Sequence, residues 1–187
     1  MTDVQRCGWV TDDPLYIAYH DQEWGRPLYD DRKLFELLSL EGAQAGLSWI
    51  TILKRRENYR KAFDDFQPEV IRSYRPDKVE KLLNDSGIIR NRKKILSVIQ
   101  NAQCYAEVQK EFGSFSSYIW SFVDGKPIIN SWETQEDVPA KTEISERMSK
   151  DMKKRGFSFV GPTICYSFMQ AAGLVNDHIR DCFLHGK

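Results

Sequence analysis

Lys153-Lys154-Arg155-Gly156-Phe157-Ser158-Phe159-Val160-Gly161-Pro162-Thr163 is the stretch on which the fold turns. A polar segment with helical spacing enters it from Thr142, and an apolar one leaves it at Pro162. Gly156 and Gly161 bound a short turn between them. Gly161 lets another backbone or an anion come close, and Pro162 suits the first helical position, where no hydrogen-bonded N–H is lost. The unit reads as helix, tight turn, helix. The free N–H groups and positive dipole end at the start of the second helix form an anion site.

Helical periodicity continues outward in both directions. From Asp31 to Leu40, Leu34, Phe35, Leu37 and Leu38 follow the i, i+3, i+4 rule, with Asp30 or Asp31 as N-cap. Gly42 and Gly46 interrupt the pattern, and a second helix is expected from Ser48 to Phe63. A helix from Asp77, with Pro76 in its first turn, is expected to end at Gly87. Asn91 to Phe112 places Ile95, Val98, Ile99, Ala102 and Tyr105 on one face, and Gly113 ends it. Phe115–Phe122, Thr142–Lys154, Pro162–Ala172 and Asn176–Phe183 complete the helices, while the polar stretch Asp124–Ala140 reads as a loop. No period-2 strand or internal repeat is evident. The expected fold is all-α, one domain over 1–187 with room for two helical lobes.

The 187 residues include 41% hydrophobic and 29% charged residues, which fits a globular chain and excludes a disordered one. The N-terminus lacks the basic and apolar regions of a secretory signal, and no run reaches the ~18–20 apolar residues of a membrane span. Four scattered cysteines do not make a disulfide framework. Cytoplasm is the expected compartment. The 27 basic residues balance 27 acidic ones, which argues against a nucleic-acid partner until the distribution is inspected. Residues 1–31 hold seven acids and two bases, and residues 133–146 five acids and one lysine. Opposing them, Lys54–Lys61 holds five bases, Arg90–Lys94 four and Arg147–Arg155 five. Each cluster reads either as a solvated helix face or as part of one phosphate-binding surface. The third abuts the glycine-bounded turn, making the unit similar to a helix-hairpin-helix that grips DNA backbone without reading sequence. A structural αα-hairpin uses the same residue types.

Two further constellations carry chemistry. Cys7 and His20 near one end, with His178 and Cys182 near the other, offer two thiolates and two imidazoles, a tetrahedral set for zinc. Four protein ligands leave no place for water, so the site would be structural. The competing reading is of buried thiols and core histidines. Residues 14–25 and 40–49 are dense in aromatics and polar groups, and a carboxylate among Tyr16, Tyr19, Trp24 and Trp49 suits a cavity stacking a flat, electron-poor ring, with Glu41 its candidate. Ordinary core packing is the alternative.

Arg6-Cys7-Gly8-Trp9, Tyr19-His20-Asp21-x-Glu23-Trp24-Gly25, Leu40-Glu41-Gly42-x-Gln44-Ala45-Gly46-Leu47-Ser48-Trp49, Gly156-Phe157-x-Phe159-Val160-Gly161, Cys165-Tyr166-Ser167-Phe168-Met169-Gln170-Ala171 and Gly173-Leu174-Val175-Asn176-Asp177-His178 resemble the DNA-3-methyladenine glycosylase I family. The matches run in order over nearly the whole chain. The resemblance implies a helix-hairpin-helix DNA glycosylase fold whose termini are clasped by one structural Zn2+, held by Cys7, His20, His178 and Cys182. It implies a monofunctional enzyme that takes 3-methyladenine from alkylated double-stranded DNA and releases the free base. Glu41 would be the catalytic residue, with Tyr16, Tyr19, Trp49 and Trp24 around the base. Leu47 beside Gly46 would wedge the duplex, and Gly156, Gly161, Thr163 and Lys154 would meet the backbone. A monomer without membrane attachment is expected. The rival expectation is a non-catalytic helix-hairpin-helix DNA-binding module.

Overall fold

Capping residues set most of the boundaries. The computed structural model describes residues 4–187, so Asp3 of the acidic N-terminal segment lies outside the described residues. Helix α1 (Pro14–Gln22) starts on Asp13, whose carboxylate accepts from Leu15 N, with Pro14 in the first turn. Helix α2 (Asp31–Gln44) uses Asp30 as N-cap. Asp31 serves elsewhere, accepting from Phe115 N and Ser116 N at 3.0 and 2.8 Å. Then come α3 (Trp49–Leu53), α4 (Arg56–Ala62), α5 (Pro68–Ile71) and α6 (Pro76–Leu83). The long α7 (Arg92–Phe112) is capped by Asn91 and ended by Gly113 at φ +84°. Helices α8 (Phe115–Ser121), α9 (Glu143–Lys154) and α10 (Pro162–Ala171) complete the set, with Thr142 capping α9.

The expected all-α architecture holds, with local corrections. Gly42 does not interrupt α2. It lies inside the helix because a Cβ there would meet Phe159 of the hairpin turn at 3.3 Å, so the glycine permits close packing. The helix expected over Ser48–Phe63 divides at Lys54–Arg55. Leu53 can thereby join one hydrophobic cluster while Tyr59 and Phe63 join another. α6 stops at Leu83, short of Gly87.

No helix forms over Asn176–Phe183. Val175–Asn176 forms β2, a two-residue strand pairing in parallel with β1 (Ile128–Ile129), and Asn176 Oδ1 accepts from His178 N. That side-chain bond offers the backbone an alternative to helix. The segment 124–140 is therefore a loop stitched to the chain end, with a 3-10 turn at Gln135–Asp137 and a bond from Arg180 N to Trp132 O.

The larger hydrophobic cluster centres on α2, α7, α8 and α10, and includes Phe35, Tyr105, Phe115, Tyr118, Tyr166 and Phe168. A smaller one joins the ends of the chain around Cys7, Tyr19, Trp24, Ile179 and Cys182. Helices α9 and α10 form the hairpin, and α7 fixes its turn. Asn101 donates to Ser158 O at 3.0 Å and accepts from Ser158 N at 2.8 Å. No helix among the described residues is long and apolar enough to cross a membrane.

Candidate active site and metal cluster

Helix α1, the C-terminal half of α2, the first turn of α3 and the outer face of α10 enclose a cavity of about 160 Å³. Tyr16, Tyr19, Trp24, Glu41 and Trp49 all line it, as do Trp9, Gln44, Gln135, Ser167 and Gln170. Cavities of about 150 Å³ hold a single benzene-sized ring, so this open cleft is on the scale of one flat ring system. Ring contacts make its walls continuous. Trp9 meets Tyr16 at 5.0 Å and Trp24 at 5.1 Å between centroids, and Tyr19 meets Trp49 at 5.6 Å.

Glu41 is the charged feature of this cavity. It is 4% exposed, and burial alone pushes its carboxyl up to about 8. Among the described residues no donor or cation partners it. Burial, and then the nearby Glu41, raise both Tyr16 and Tyr19. The indole N–H groups of Trp9 and Trp49 and the Oε1 of Gln135 are buried without partners. Buried polar groups are normally satisfied, and left bare around one cavity they mark a place for a polar ligand.

The four expected metal ligands also converge, although His178 and Cys182 do not share a helix. A turn from Cys182 N to Ile179 O returns the thiol to His178. The ligand atoms of Cys7, His20, His178 and Cys182 are buried and lie within 4.8 Å of one another. Contacts from Cys7 Sγ and Cys182 Sγ to His178 Nδ1 are 3.5 and 3.4 Å, and Cys182 Sγ lies 3.6 Å from His20 Nε2. A tetrahedral centre with bonds of 2.0–2.3 Å separates its ligands by about 3.3–3.8 Å, so the spacing fits.

Outer partners set the tautomers. His20 Nδ1–H donates to Asp21 at 2.7 Å, and His178 Nε2–H donates to the Trp24 carbonyl at 3.1 Å. Each ring thus turns an unprotonated nitrogen inward. The Cys182 thiol, and then burial, push the Cys7 thiol up, while the Cys7 thiol beside it holds Cys182 down. The donor set can hold a metal ion. Gly25 is required here, because a Cβ at its φ of +77° would stand 2.9 Å from His178 Nε2.

Residues expected to meet DNA fall in two neighbouring places. Gly46, at φ +77°, and the exposed Leu47 form the tip of the turn after α2. Gln44 Nε2 donates to Leu47 O at 2.8 Å, and Lys94 Nζ donates to Ala43 O and Ala45 O. Gly156, Gly161, Thr163 and Lys154 lie in the hairpin, with Lys154 and Thr163 exposed. The start of α10 has no side-chain cap, and a Cβ on Gly161 would meet nothing within 4 Å. Lys94 and Asn101 hold the two turns from the same helix, about 10 Å apart along its axis.

The basic clusters are not uniformly available for such a face. Lys54 pairs with Asp13, Arg56 with Glu23, Arg60 with Glu36 and Glu57, Arg92 with Glu80, and Arg155 with Glu111 and Asp151.

The sequence reading did not place Trp9, Gln44, Gln135, Ser167 and Gln170 in the cavity. Four of them stand inside the quoted motifs, which was the available signal; Gln135 lies in a polar loop and had none. Asp177 is also buried, accepting from Asn130, Trp132, Tyr166 and Gln170.

Comparison with known proteins agrees with this geometry. A crystal structure of 3-methyladenine DNA glycosylase I superimposes with a TM-score of 0.95 at 56% identity, covering 97% of this chain and all of that one. A variant of 3-methyladenine DNA glycosylase I in complex with 3-methyladenine gives 0.94 at 41%, with 97% and 98% covered. The fold is that of these DNA glycosylases. DNA-3-methyladenine glycosylase 1 of Escherichia coli (strain K12) is 53% identical over 179 residues, 96% of each chain. The methyladenine glycosylase family model matches residues 9–185, and the chain belongs to that family.

Proposed function

We propose that this chain is a monofunctional DNA glycosylase that excises 3-methyladenine from alkylated duplex DNA by hydrolysing the N-glycosidic bond, in base excision repair. The observation that carries the proposal is Glu41, a buried carboxyl without a partner inside an aromatic cavity. Methylation at N3 makes the purine cationic. The aromatic faces of Tyr16, Tyr19, Trp24 and Trp49 attract such a ring by about 0.5–2 kcal/mol, an advantage normal adenine lacks. Glu41 would accept hydrogen bonds from the base and favour its positive charge.

The reaction needs little more. The bond from the sugar to N9 breaks, and the base leaves as a neutral molecule. Water adds to the oxocarbenium-like sugar and gives up a proton. Glu41 would stabilise the sugar cation or orient that water. Asp177 has no such role, since donors occupy its oxygens. No lysine lies in Gly156–Gly161 to form a Schiff base, which supports hydrolysis without strand cleavage. Flipping the base out costs a few kcal/mol, less for a damaged one. Leu47, held at its turn tip by Gln44, would fill the gap. Gly161 and Thr163 at the uncapped start of α10, with Gly156 and Lys154 at the end of α9, would bind a phosphate.

The Cys7, His20, His178 and Cys182 set would hold one structural zinc. The ion supplies a cross-link between chain ends, where Phe183 N already bonds Gln5 O. Metal analysis should find about one zinc per chain in the wild type and none in Cys182→Ser, which should lose stability more than chemistry. Wild type without zinc would remove the clasp. The proposed working form is a cytoplasmic monomer, checked by a solution mass near 21.8 kDa.

The decisive experiment is chromatography of the bases released from methylated duplex DNA. Free 3-methyladenine, with little 7-methylguanine and no strand cleavage, is expected. Salt-dependent duplex binding with no release above the uncatalysed control would overturn the proposal and leave a DNA-binding module.

A further inference from the structure

Three glutamines, Gln44, Gln135 and Gln170, line the base-sized cavity. Gln170 Nε2 donates to Asp177 Oδ2 at 2.9 Å. A carboxylate accepts hydrogen bonds and does not donate them, so the NH2 end faces Asp177 and Oε1 is left as the free polar end. Gln44 Nε2 donates to a carbonyl, Leu47 O, with the same consequence. Gln135 Oε1 is buried and unpartnered. Among the described residues none of the three carbonyl oxygens accepts a hydrogen bond. With Glu41, they make a wall rich in acceptors and suited to a base rich in N–H.

Gln170 is the most firmly held of the three. Asp177 is 1% exposed, and Asn130, Trp132 and Tyr166 also donate to it, so its position is fixed from several sides. The Gln170 backbone carbonyl accepts from Gly25 N at 3.1 Å, tying the residue to the turn that follows Trp24. An acceptor held this way does not reorganise when a ligand arrives. Gln44, by contrast, ends α2 and bonds only the exposed turn at Leu47, and Gln135 sits in the loop after β1.

We infer that Gln170, held by Asp177 with its amide oxygen toward the cavity, is a specificity-determining residue that accepts a hydrogen bond from the exocyclic amino group of the bound base and so separates 6-amino from 6-oxo purines. The inference rests on the proposed reading of the cavity as a 3-methyladenine site. Asp177 is a positioning residue, acting through the amide it orients. A 6-oxo group would bring its own acceptor against Gln170 Oε1, and sites built around a hydrogen bond discriminate strongly against analogues that cannot make it.

The test is equilibrium binding of two free bases, 3-methyladenine and 3-methylhypoxanthine, which differ by amino against oxo at one position. Wild type should prefer 3-methyladenine by about 10²-fold or more. Gln170→Leu should bring the ratio toward one, mostly by weakening 3-methyladenine, with its melting temperature little changed. Asp177→Asn should lower the ratio with Gln170 still present, because the new NH2 group lets the Gln170 amide invert. The side-chain amide protons of wild-type Gln170 should exchange slowly in 15N-resolved spectra, which tests the orientation even if Asp177→Asn does not fold. Fast exchange would overturn the positioning. A ratio unmoved in Gln170→Leu, in a protein that releases 3-methyladenine from DNA, would overturn this inference alone. Wild type that binds neither base and releases none would overturn the site reading, and this inference with it.

Discussion

Glu41 and Asp177 are the two acidic side chains buried among the described residues, at 4% and 1% exposure. Asp177 accepts from Asn130, Trp132, Tyr166 and Gln170, whereas Glu41 accepts from nothing. Similar burial therefore has two meanings. Around Asp177 the polar groups satisfy one another and join the segment 128–132 to α10 and the end of the chain. Around Glu41 they are left open, together with the indole N–H groups of Trp9 and Trp49. A buried network that closes on itself holds a structure together; one that stays open holds a place for something else.

Substitutions should separate the two. Asp177→Ala leaves four donors without an acceptor, and a loss of about 3–5 kcal/mol is expected in denaturant unfolding. Less than about 1 kcal/mol would mean that the network does not bind these elements. Glu41→Gln should keep the fold while slowing single-turnover release of 3-methyladenine by about 10²–10³-fold. Unchanged rates would take Glu41 out of the chemistry.

The pH dependence sharpens the contrast. Burial raises Glu41 from 4.5 to about 8, so the folded state holds its proton more tightly than the unfolded chain does. Stability from this group is intact below about pH 4.5 and is lost as pH rises through about 8. Glu41→Gln removes the loss. Its unfolding free energy should therefore gain on wild type with rising pH, by on the order of 3 kcal/mol between about pH 4.5 and 7. Parallel pH profiles would show that Glu41 is solvated. The smallest effect belongs outside both networks. Lys154→Ala should weaken duplex binding evenly across sequences and reduce its salt slope by about one.

What the sequence disclosed follows from where the physics is local. Asp30, Asn91 and Thr142 cap helices through bonds spanning three residues, so their helices were legible. The start of α1 had a signal in Asp13-Pro14, but its inward residues serve the cavity and the metal cluster, and they blur the apolar stripe. The segment after Asn176 misled because Ile179 and Phe183 keep helical spacing, while its backbone is committed to Ile128–Asn130 and Trp132, more than forty residues earlier. The four expected metal ligands nevertheless fall into one buried cluster, since residue type and resemblance survive a wrong local conformation. Gln170 and Asp177 were visible as letters, but the direction of an amide is settled only by its partner across space.

The most direct test of the account is the titration of Glu41 itself, followed by carboxyl NMR in 13C-glutamate-labelled protein. The free protein should show one glutamate titrating near 8, absent in Glu41→Gln. Saturation with a 3,9-dialkyladeninium, a permanently cationic base, should pull that titration down by a unit or more, because opposite charge favours the ionised carboxylate. A Glu41 that titrates near 4.5, or one whose titration does not move when the cation binds, would contradict the claim that this open carboxyl reads the charge of the damaged base.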